Sequence, residues 1–398
     1  MLEDNSSIER LVFEIEEKAV KHGDESMEKE ALLHGSDEEL TYKTISDLPD
    51  LLSYQAQWDS LCMKTGKPIL CSSWFIAGTN GFSRSSNLSM AAITNGKLKA
   101  VAPLAKKGNV LPHLELLGSS ILLEPGGILF DSPDALRLLI YRLLETNSSF
   151  LLKKLYKNSL EVKVLENELR SKTSFHYSTE ESKVPYVDTT GDWKQVEEKM
   201  PSKKRSNFRR LKRKLEKIGE LEFQIVIPSE ENFETYFEKV LDVEAANWKG
   251  KMGTAIKTHP SLREFFAEYA SQMTSKGQLR LIFLNVNGEP IAVQIAVEFG
   301  NRLWILKIGY NEKWKKYSPG VLLMDHVVKY CFDQNLDGCE FLGSNEDWLH
   351  DWATGVHELI SYNIYPKSFK GILTKYRDQL AVSYHDVVNH LKYKWVFR

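Results

Sequence analysis

The sequence has no long hydrophobic run and very little cysteine. No segment approaches the roughly 18 consecutive apolar residues that a membrane-spanning helix needs. The first ten residues, MLEDNSSIER, are acidic, whereas a secretory signal peptide starts with basic residues and continues with apolar ones. Only four cysteines occur, without a histidine cluster beside them: Cys62, Cys71, Cys331 and Cys339. We therefore expect a cytoplasmic protein with reduced, mostly buried thiols, and neither a zinc site nor a disulfide framework.

Several catalytic motifs are missing as well. The ten histidines show no HExxH or HxH spacing, and the chain contains neither a GxSxG nor a Walker sequence. These absences argue against metal chemistry, serine hydrolase chemistry and P-loop chemistry. We expect no metal cofactor.

The composition is that of an ordinary globular protein. The chain has 398 residues, of which 42% are apolar and 27% are charged. At about 100–200 residues per domain, this length predicts two domains or one large one, each with a full hydrophobic core. Disorder cannot describe most of the chain.

Charge is distributed unevenly along the sequence. Residues 1–40 contain 13 acids and four bases, whereas residues 203–217 contain nine bases and one acid. The acidic segment is too polar to fold alone, so we treat residues 1–38 as a flexible appendage. Its charge is opposite to that of 203–217, which leads to the hypothesis that it docks there; the alternative is a solvated tail.

Two similar hairpins indicate an internal repeat. Asn95-Gly96 and Asn287-Gly288 each join two β-rich runs, since this residue pair tolerates the positive φ of a tight turn. The two turns lie 192 residues apart, close to half the chain. We predict two similar α/β units at 39–190 and 191–398, although two independent hairpins remain the alternative. Within the first unit, LEVKVLE at 160–166 is predicted to be a strand.

Two segments of the second unit have the features of a site. Tyr317-Ser318-Pro319-Gly320 lies where a strand ends and a helix begins, with Ser318 as the N-cap. Free amides and the helix dipole suit a pyrophosphate there, and Gly320 would let it approach the backbone; the alternative is a plain helix start. Glu346 lies between Trp348 and a strand that ends at Gly343, where a carboxylate could accept a proton; the alternative is a surface acid.

The third candidate is the basic segment PSKKRSNFRRLKRKLEKIG. At helical spacing its apolar residues form one stripe, and its bases share the other side. The stripe comprises Phe208, Leu211, Leu215 and Ile218. Nine bases exceed what solubility requires, so the helix is predicted to contact phosphates or other anions, with a solvated charged face as the alternative.

Taken together, these residues resemble the GNAT acyltransferase superfamily, in the tandem branch associated with cellulose and exopolysaccharide biosynthesis (CelD-type), which is related to Fem-type aminoacyltransferases. The resemblance runs from about Thr41 to the C-terminus and is densest over 184–352. It rests on VPYVD followed by DW, the basic helix, the Trp248 helix, NGEPIA, GYNEKWKKYSPGVLL and GSNEDWLHDW. The order and spacing of these pieces are more specific than any one of them.

The resemblance implies two tandem GNAT-like domains, each a mixed, mostly antiparallel sheet flanked by helices, with acyl-CoA (acetyl-CoA) as cosubstrate in the second. The backbone of Tyr317, Ser318, Gly320 and Val321 would bind the CoA pyrophosphate. The residues expected to bind the substrate are Lys203, Arg205, Arg209, Trp248 and Trp348. The three bases among them would hold an anionic acceptor or the CoA phosphate. The family's E-x-Y-K-x-x-W appears here as Glu346 to Trp352, without the tyrosine and the lysine.

The leading functional prediction is an N-acyltransferase that moves an acyl group from acyl-CoA to an amine on a sugar or an amino acid, with Glu346 as the base. A thioester is already activated, so positioning and a base supply most of the catalysis. One alternative is a Fem-like transferase that uses aminoacyl-tRNA, in which the basic helix grips RNA. Another is an inactive GNAT-fold binding module.

Overall fold

The computed structural model describes residues 40–82, 87–122, 124–171, 174–181, 183–247, 253–343 and 345–380. Two predictions lie outside these residues. One is the acidic appendage with its docking on the basic helix, and the other is the role of Trp248.

Sixteen strands occur in the described part of the chain. In chain order they are β1 Thr41–Ile45, β2 Met90–Thr94, β3 Leu98–Ala102, β4 Leu104–Lys107, β5 His113–Leu116, β6 Leu129–Phe130, β7 Ser149–Tyr156, β8 Ser174–Glu180, β9 Val184–Asp188, β10 Leu221–Val226, β11 Leu279–Val286, β12 Glu289–Phe299, β13 Arg302–Tyr310, β14 Gly338–Glu340, β15 Gly355–His357 and β16 Leu359–Pro366.

The helices separate and flank these strands. They are α1 Leu48–Ser53, α2 Gln55–Thr65, α3 Ser72–Phe82, α4 Pro133–Glu145, α5 Leu160–Ser171, α6 Trp193–Lys199, α7 Ser202–Glu216, α8 Phe233–Ala245, α9 Pro260–Ser275, α10 Pro319–Asp333 and α11 over 369–380. Four short 3-10 turns add Pro68–Leu70, Ile256–Thr258, Glu312–Tyr317 and Asp347–Asp351. Among the described helices, none is long and apolar enough to cross a bilayer.

The strands form three sheets. Four strands are ordered β1-β2-β3-β6, five are ordered β4-β5-β7-β16-β8, and seven are ordered β10-β11-β12-β13-β14-β9-β15. Most neighbours are antiparallel, but β13 pairs with β14, and β5 with β7, in parallel. The predicted mixed α/β fold, with mostly antiparallel sheets flanked by helices, is confirmed, and both Asn-Gly pairs lie at hairpin turns, between β2 and β3 and between β11 and β12.

The seven-stranded sheet separates two hydrophobic cores. Alternate side chains of β11, such as Leu281 and Phe283, enter the core that also contains α3, α8 and α9. Their neighbours Ile282 and Leu284 enter the core on the other face, formed with α7 and α10. Strands buried on both faces explain why these sequences are continuously apolar rather than alternating.

The structure corrects three local predictions. LEVKVLE belongs to helix α5, not to a strand, because Val162, Leu165 and Leu169 lie on one helical face and are buried. Ile218 follows the end of α7 and is 43% exposed, so it leaves the predicted stripe. Cys62 and Cys71 form a disulfide, with their Cα atoms 5.1 Å apart, because α2 and the Pro68–Leu70 turn bring them together. Cys331 and Cys339 are free and buried, as expected.

The two halves of the chain share a sheet. Strand β16, near the C-terminal end, inserts between β7 and β8 and pairs antiparallel with both. The neighbouring strand β9 instead joins the seven-stranded sheet. The chain boundary near residue 190 stays a prediction.

Candidate functional site

A cavity of about 460 Å³ opens where strands β13 and β14 separate. The two strands are hydrogen-bonded only between 302–304 and 338–340. Beyond this ladder, residues 305–308 of β13 line one wall and Phe341 to Gly343 line the other. The size lies within the range of small-molecule sites, about 300–1,000 Å³. A short parallel ladder thus creates the space.

The backbone adopts an uncommon conformation in the cavity wall formed by Phe341 to Gly343. Leu342 has φ +50° and Gly343 has φ +73°. A left-handed conformation is unfavourable for a branched residue such as leucine, so it is kept only where the surrounding structure requires it. Leu342 is buried in the core that also contains α3, α8 and α9, so this packing fixes its position.

The N-terminus of helix α10 forms part of the cavity lining. Ser318, Pro319, Gly320 and Val321 all line the cavity, whereas Tyr317 does not. The predicted N-cap position of Ser318 is confirmed, but its side chain makes no capping hydrogen bond, and its backbone is left-handed at φ +48° and ψ +53°. The Val321 amide donates to the Ser318 carbonyl at 3.1 Å, and the Ser318 amide donates to the Lys315 carbonyl at 2.9 Å. Gly320 is therefore the residue of this turn whose amide is best placed for a ligand.

Gly320 has open space where a side chain would lie. A Cβ atom there would meet only Tyr310 Cδ1, at 3.8 Å. Packing within the protein therefore does not require glycine at this position. An approach of a ligand to the backbone would require it.

Glu346 lies at the rim of the cavity. It precedes the 3-10 turn Asp347–Asp351, and its side chain is exposed rather than buried between Trp348 and Trp352. Trp348 also lines the cavity, and its ring packs edge-on against that of Trp352, with centroids 6.1 Å apart. Trp352 is buried and donates from Nε1 to Asp325 at 3.0 Å, while burial raises the pKa of that carboxyl group.

Helix α7 packs beside the cavity mouth without lining it. Its Phe208 stacks on Trp352 with centroids 5.6 Å apart, and Lys204 pairs with Asp351. Of the predicted anion-binding residues, Lys203 and Arg209 are exposed and Arg205 is half-buried. The Nε atom of Arg205 is buried and has no hydrogen-bond partner among the described residues. The predicted anion-binding side chains therefore form a basic surface next to the cavity.

Two cavity residues escaped the sequence analysis. Glu124, between β5 and β6, enters the cavity from the first half of the chain, and its Oε1 accepts a hydrogen bond from Lys307 Nζ at 3.0 Å. Their side chains are 3% and 23% exposed. Each is a lone charged residue in an apolar stretch, LLEPGG and LWILKIG. Charges seldom lie in such stretches without a partner, and this is the signal that would have found them.

Comparison with known families points to the same region. Residues 202–349 match the family model described as an acetyltransferase (GNAT) domain, and these residues include α7, the N-terminus of α10 and Glu346. No protein of curated function matches the chain.

Solved structures share the fold at low sequence identity. FemX is similar with a TM-score of 0.53 and 10% identity, over 81% of this chain and 96% of that one. The C-terminal domain of a putative lysylphosphatidylglycerol synthetase from Agrobacterium fabrum has a TM-score of 0.51 and 10% identity, over 79% and 92%. The L-PGS of Bacillus licheniformis has a TM-score of 0.50 and 12% identity, over 81% and 94%. These likenesses show a shared fold, and within it residues 202–349 are the part that matches the GNAT acetyltransferase domain model.

Proposed function

We propose that this protein is an N-acyltransferase that transfers an acyl group from acyl-CoA to an amine acceptor derived from a sugar or an amino acid. One observation carries the proposal: a cavity between separating strands is lined by a helix N-terminus with an open glycine. We also propose that this chain belongs to the CelD-type branch and has a role in polysaccharide biosynthesis.

The cavity offers complementary groups for the two parts of CoA. The amide of Gly320 and the positive end of the α10 dipole suit the pyrophosphate, with Ser318 and Val321 beside it and Tyr317 shaping the turn. Beyond residue 304, β13 no longer pairs with β14. Its backbone there can hydrogen-bond the amides in the extended arm of CoA. Lys203, Arg205 and Arg209 would bind the remaining phosphate or an anionic acceptor.

Catalysis would consist mainly of alignment. The thioester carbonyl is held beside the acceptor nitrogen, which attacks as the sulfur leaves. Glu346 at the rim takes the proton from the nitrogen, and Trp348 covers the acceptor. The lost tyrosine and lysine of the family motif correspond to Trp348 and the buried Leu349. Absence of CoA binding would favour an inactive binding module.

The test uses CoA and the variant Gly320→Val. CoA at 100 times its Kd should stabilise the wild-type protein by about 2.7 kcal/mol. The valine side chain fills the space that the pyrophosphate needs, so the variant should lose the CoA-induced rise in Tm. Gly191→Val is the matched control, because Gly191, like Gly320, lies close to the N-cap residue of a helix but does not line the cavity. If folded Gly320→Val responds to CoA like wild type, CoA binds elsewhere.

A Fem-like use of aminoacyl-tRNA is the second candidate. The exposed bases of α7 next to the cavity mouth favour it. Six to ten phosphate contacts would weaken tRNA binding by about 10³–10⁵ between 50 and 200 mM salt. Such a dependence, with no response of Tm to CoA, would replace the acyl-CoA proposal.

A further inference from the structure

The cavity contains one buried carboxylate whose bonding is incomplete. Glu124 Oε1 accepts from Lys307 Nζ, whereas Oε2 is buried and has no hydrogen-bond partner among the described residues. An ionised carboxylate offers about four acceptor positions, and each position without a donor costs free energy when water is excluded. Glu124 can therefore accept at least one further donor.

The position of Glu124 suits a ligand of the cavity. The side chain is 97% buried, so bulk water does not supply the missing donor. It comes from the loop between β5 and β6, whereas the rest of the cavity lining belongs to residues 247–349. The first half of the chain thus contributes a single charged side chain to a site built by the second half.

The chemistry of the carboxylate selects the ligand group. A carboxylate repels anions and accepts from any donor, but a hydrogen bond to a cationic nitrogen is about twice as strong as a neutral one. Lys307 already supplies one cationic partner and fixes the orientation of the carboxylate. Lys154 is a further charged group near Glu124; burial lowers its pKa, and the carboxylates of Glu181 and Glu124 oppose that shift.

We propose that Glu124 binds the acceptor nitrogen as it enters in its ammonium form and is the residue that makes this cavity specific for amines. The nitrogen then loses one proton to Glu346 and attacks as the neutral amine, which can still donate an N–H to Glu124 Oε2. Lys307 is the positioning residue that holds Glu124 Oε1. The inference rests on the proposed function in one respect, that the acceptor is an amine. It does not depend on the acyl donor, which would bind at the other groups of the cavity.

The rival explanation is a structural ion pair completed by one water. A small adjoining space of about 20 Å³ also touches Glu124, and it is large enough for one water molecule. Its other lining is mostly apolar, including Leu70, Trp74 and Leu116. Ser119 also lines this space, and its Oγ is buried without a hydrogen-bond partner among the described residues. A single water could therefore bridge Ser119 Oγ and Glu124 Oε2, and the test below is chosen to separate this explanation from ligand binding.

The test measures binding of n-butylammonium, with n-butanol as the matched neutral probe, by ligand-observed NMR in the absence of CoA. The wild-type protein should prefer the ammonium, and Glu124→Gln should bind it at least about tenfold more weakly. Glu115→Gln is the matched control: Glu115 is also 3% exposed and lies 3.5 Å from Lys107, but it does not line the cavity. The control should keep the preference.

The outcomes separate this inference from the proposed function. If wild type shows no preference for the ammonium, or if folded Glu124→Gln keeps it, Glu124 is a structural residue. If Glu124→Gln does not fold, Lys307→Gln provides the opposite test. The glutamine amide can still donate a hydrogen bond to Glu124 Oε1 and so keep its orientation, but it no longer neutralises the carboxylate, so binding of n-butylammonium should tighten. Unchanged or weaker binding there overturns the inference. Loss of the CoA response with the ammonium preference intact would refute only the acyl-CoA donor.

Discussion

At the residue scale, the two carboxylates of the cavity lie in different environments. Glu124 is buried and paired with Lys307, whereas Glu346 is exposed at the rim. A buried, fixed carboxylate suits binding, because its orientation is determined by its partner. An exposed one can exchange a proton with solvent after each turnover. We therefore propose that Glu124 anchors the acceptor and that Glu346 takes the proton.

This division of roles predicts the effect of Glu346→Gln. Removal of a general base slows turnover by about 10²-fold or more. CoA affinity and the preference for n-butylammonium should stay close to wild type, because neither contact involves Glu346. The measurement is kcat with an accepted amine, alongside the two binding assays.

Asp347→Asn is the control for Glu346→Gln. Asp347 is the next residue, is also exposed and does not line the cavity. Its turnover should equal that of wild type. An unchanged kcat in Glu346→Gln would make Glu346 an ordinary surface acid.

At the scale of elements, close packing against β13 determines the position of one cavity wall. Helix α8 crosses β13 at Gly309, where a Cβ atom would lie 2.6 Å from Glu244 Cα. The absence of a side chain lets helix and strand approach. Asn247, just after α8, consequently lines the cavity together with residues 305–308 of β13.

The disulfide gives a testable prediction at this scale. Cys62 in α2 and Cys71 before α3 close a short loop with a sequence separation of 9. Loop-closure entropy for such a length predicts about 2–3 kcal/mol of stabilisation. Reduction should lower the urea midpoint of wild type, and the double variant Cys62→Ala, Cys71→Ala should match the reduced protein.

The control for the disulfide is reductant added to the double variant. Cys331 and Cys339 form no disulfide, so no further change is expected there. If reductant leaves the wild-type midpoint unchanged, the disulfide does not stabilise the folded state.

At the scale of the whole molecule, the first half of the chain depends on the second for its sheet. Strand β16 pairs with β7 through residues 359–364 and with β8 through residues 360–366. Without it, β7 and β8 lose the strand between them and expose two edges. Phe233, Phe237 and Phe265 also complete the core that surrounds α2 and α3.

A fragment of residues 39–190 should therefore not fold cooperatively on its own. Urea unfolding followed by circular dichroism should show a broad, low-amplitude transition, in contrast to the full-length chain. Co-expression with residues 191–398 should restore a single cooperative transition, because β16 is then supplied in trans. A sharp transition of the isolated fragment would show that the first unit is independent of β16.

The sequence by itself determined much of the local structure and part of the site. The Ser318-Pro319 pair predicted the start of α10, the stripe of Phe208, Leu211 and Leu215 predicted α7, and the Asn-Gly pairs predicted both hairpins. These features depend on residues close in the chain, whose preferences are visible in the sequence. The prediction of a strand at LEVKVLE was wrong because a short apolar run fits either a strand or a helix.

Only the tertiary structure decided which residues share the cavity. Glu124 and Lys307 are 183 positions apart, and their contact depends on how the loop after β5 packs against β13. The separation of β13 from β14, the insertion of β16 between β7 and β8, and the Cys62–Cys71 bond likewise follow from packing of distant segments. Such contacts form because they bury apolar surface and pair charges, and no local pattern in one sequence records them.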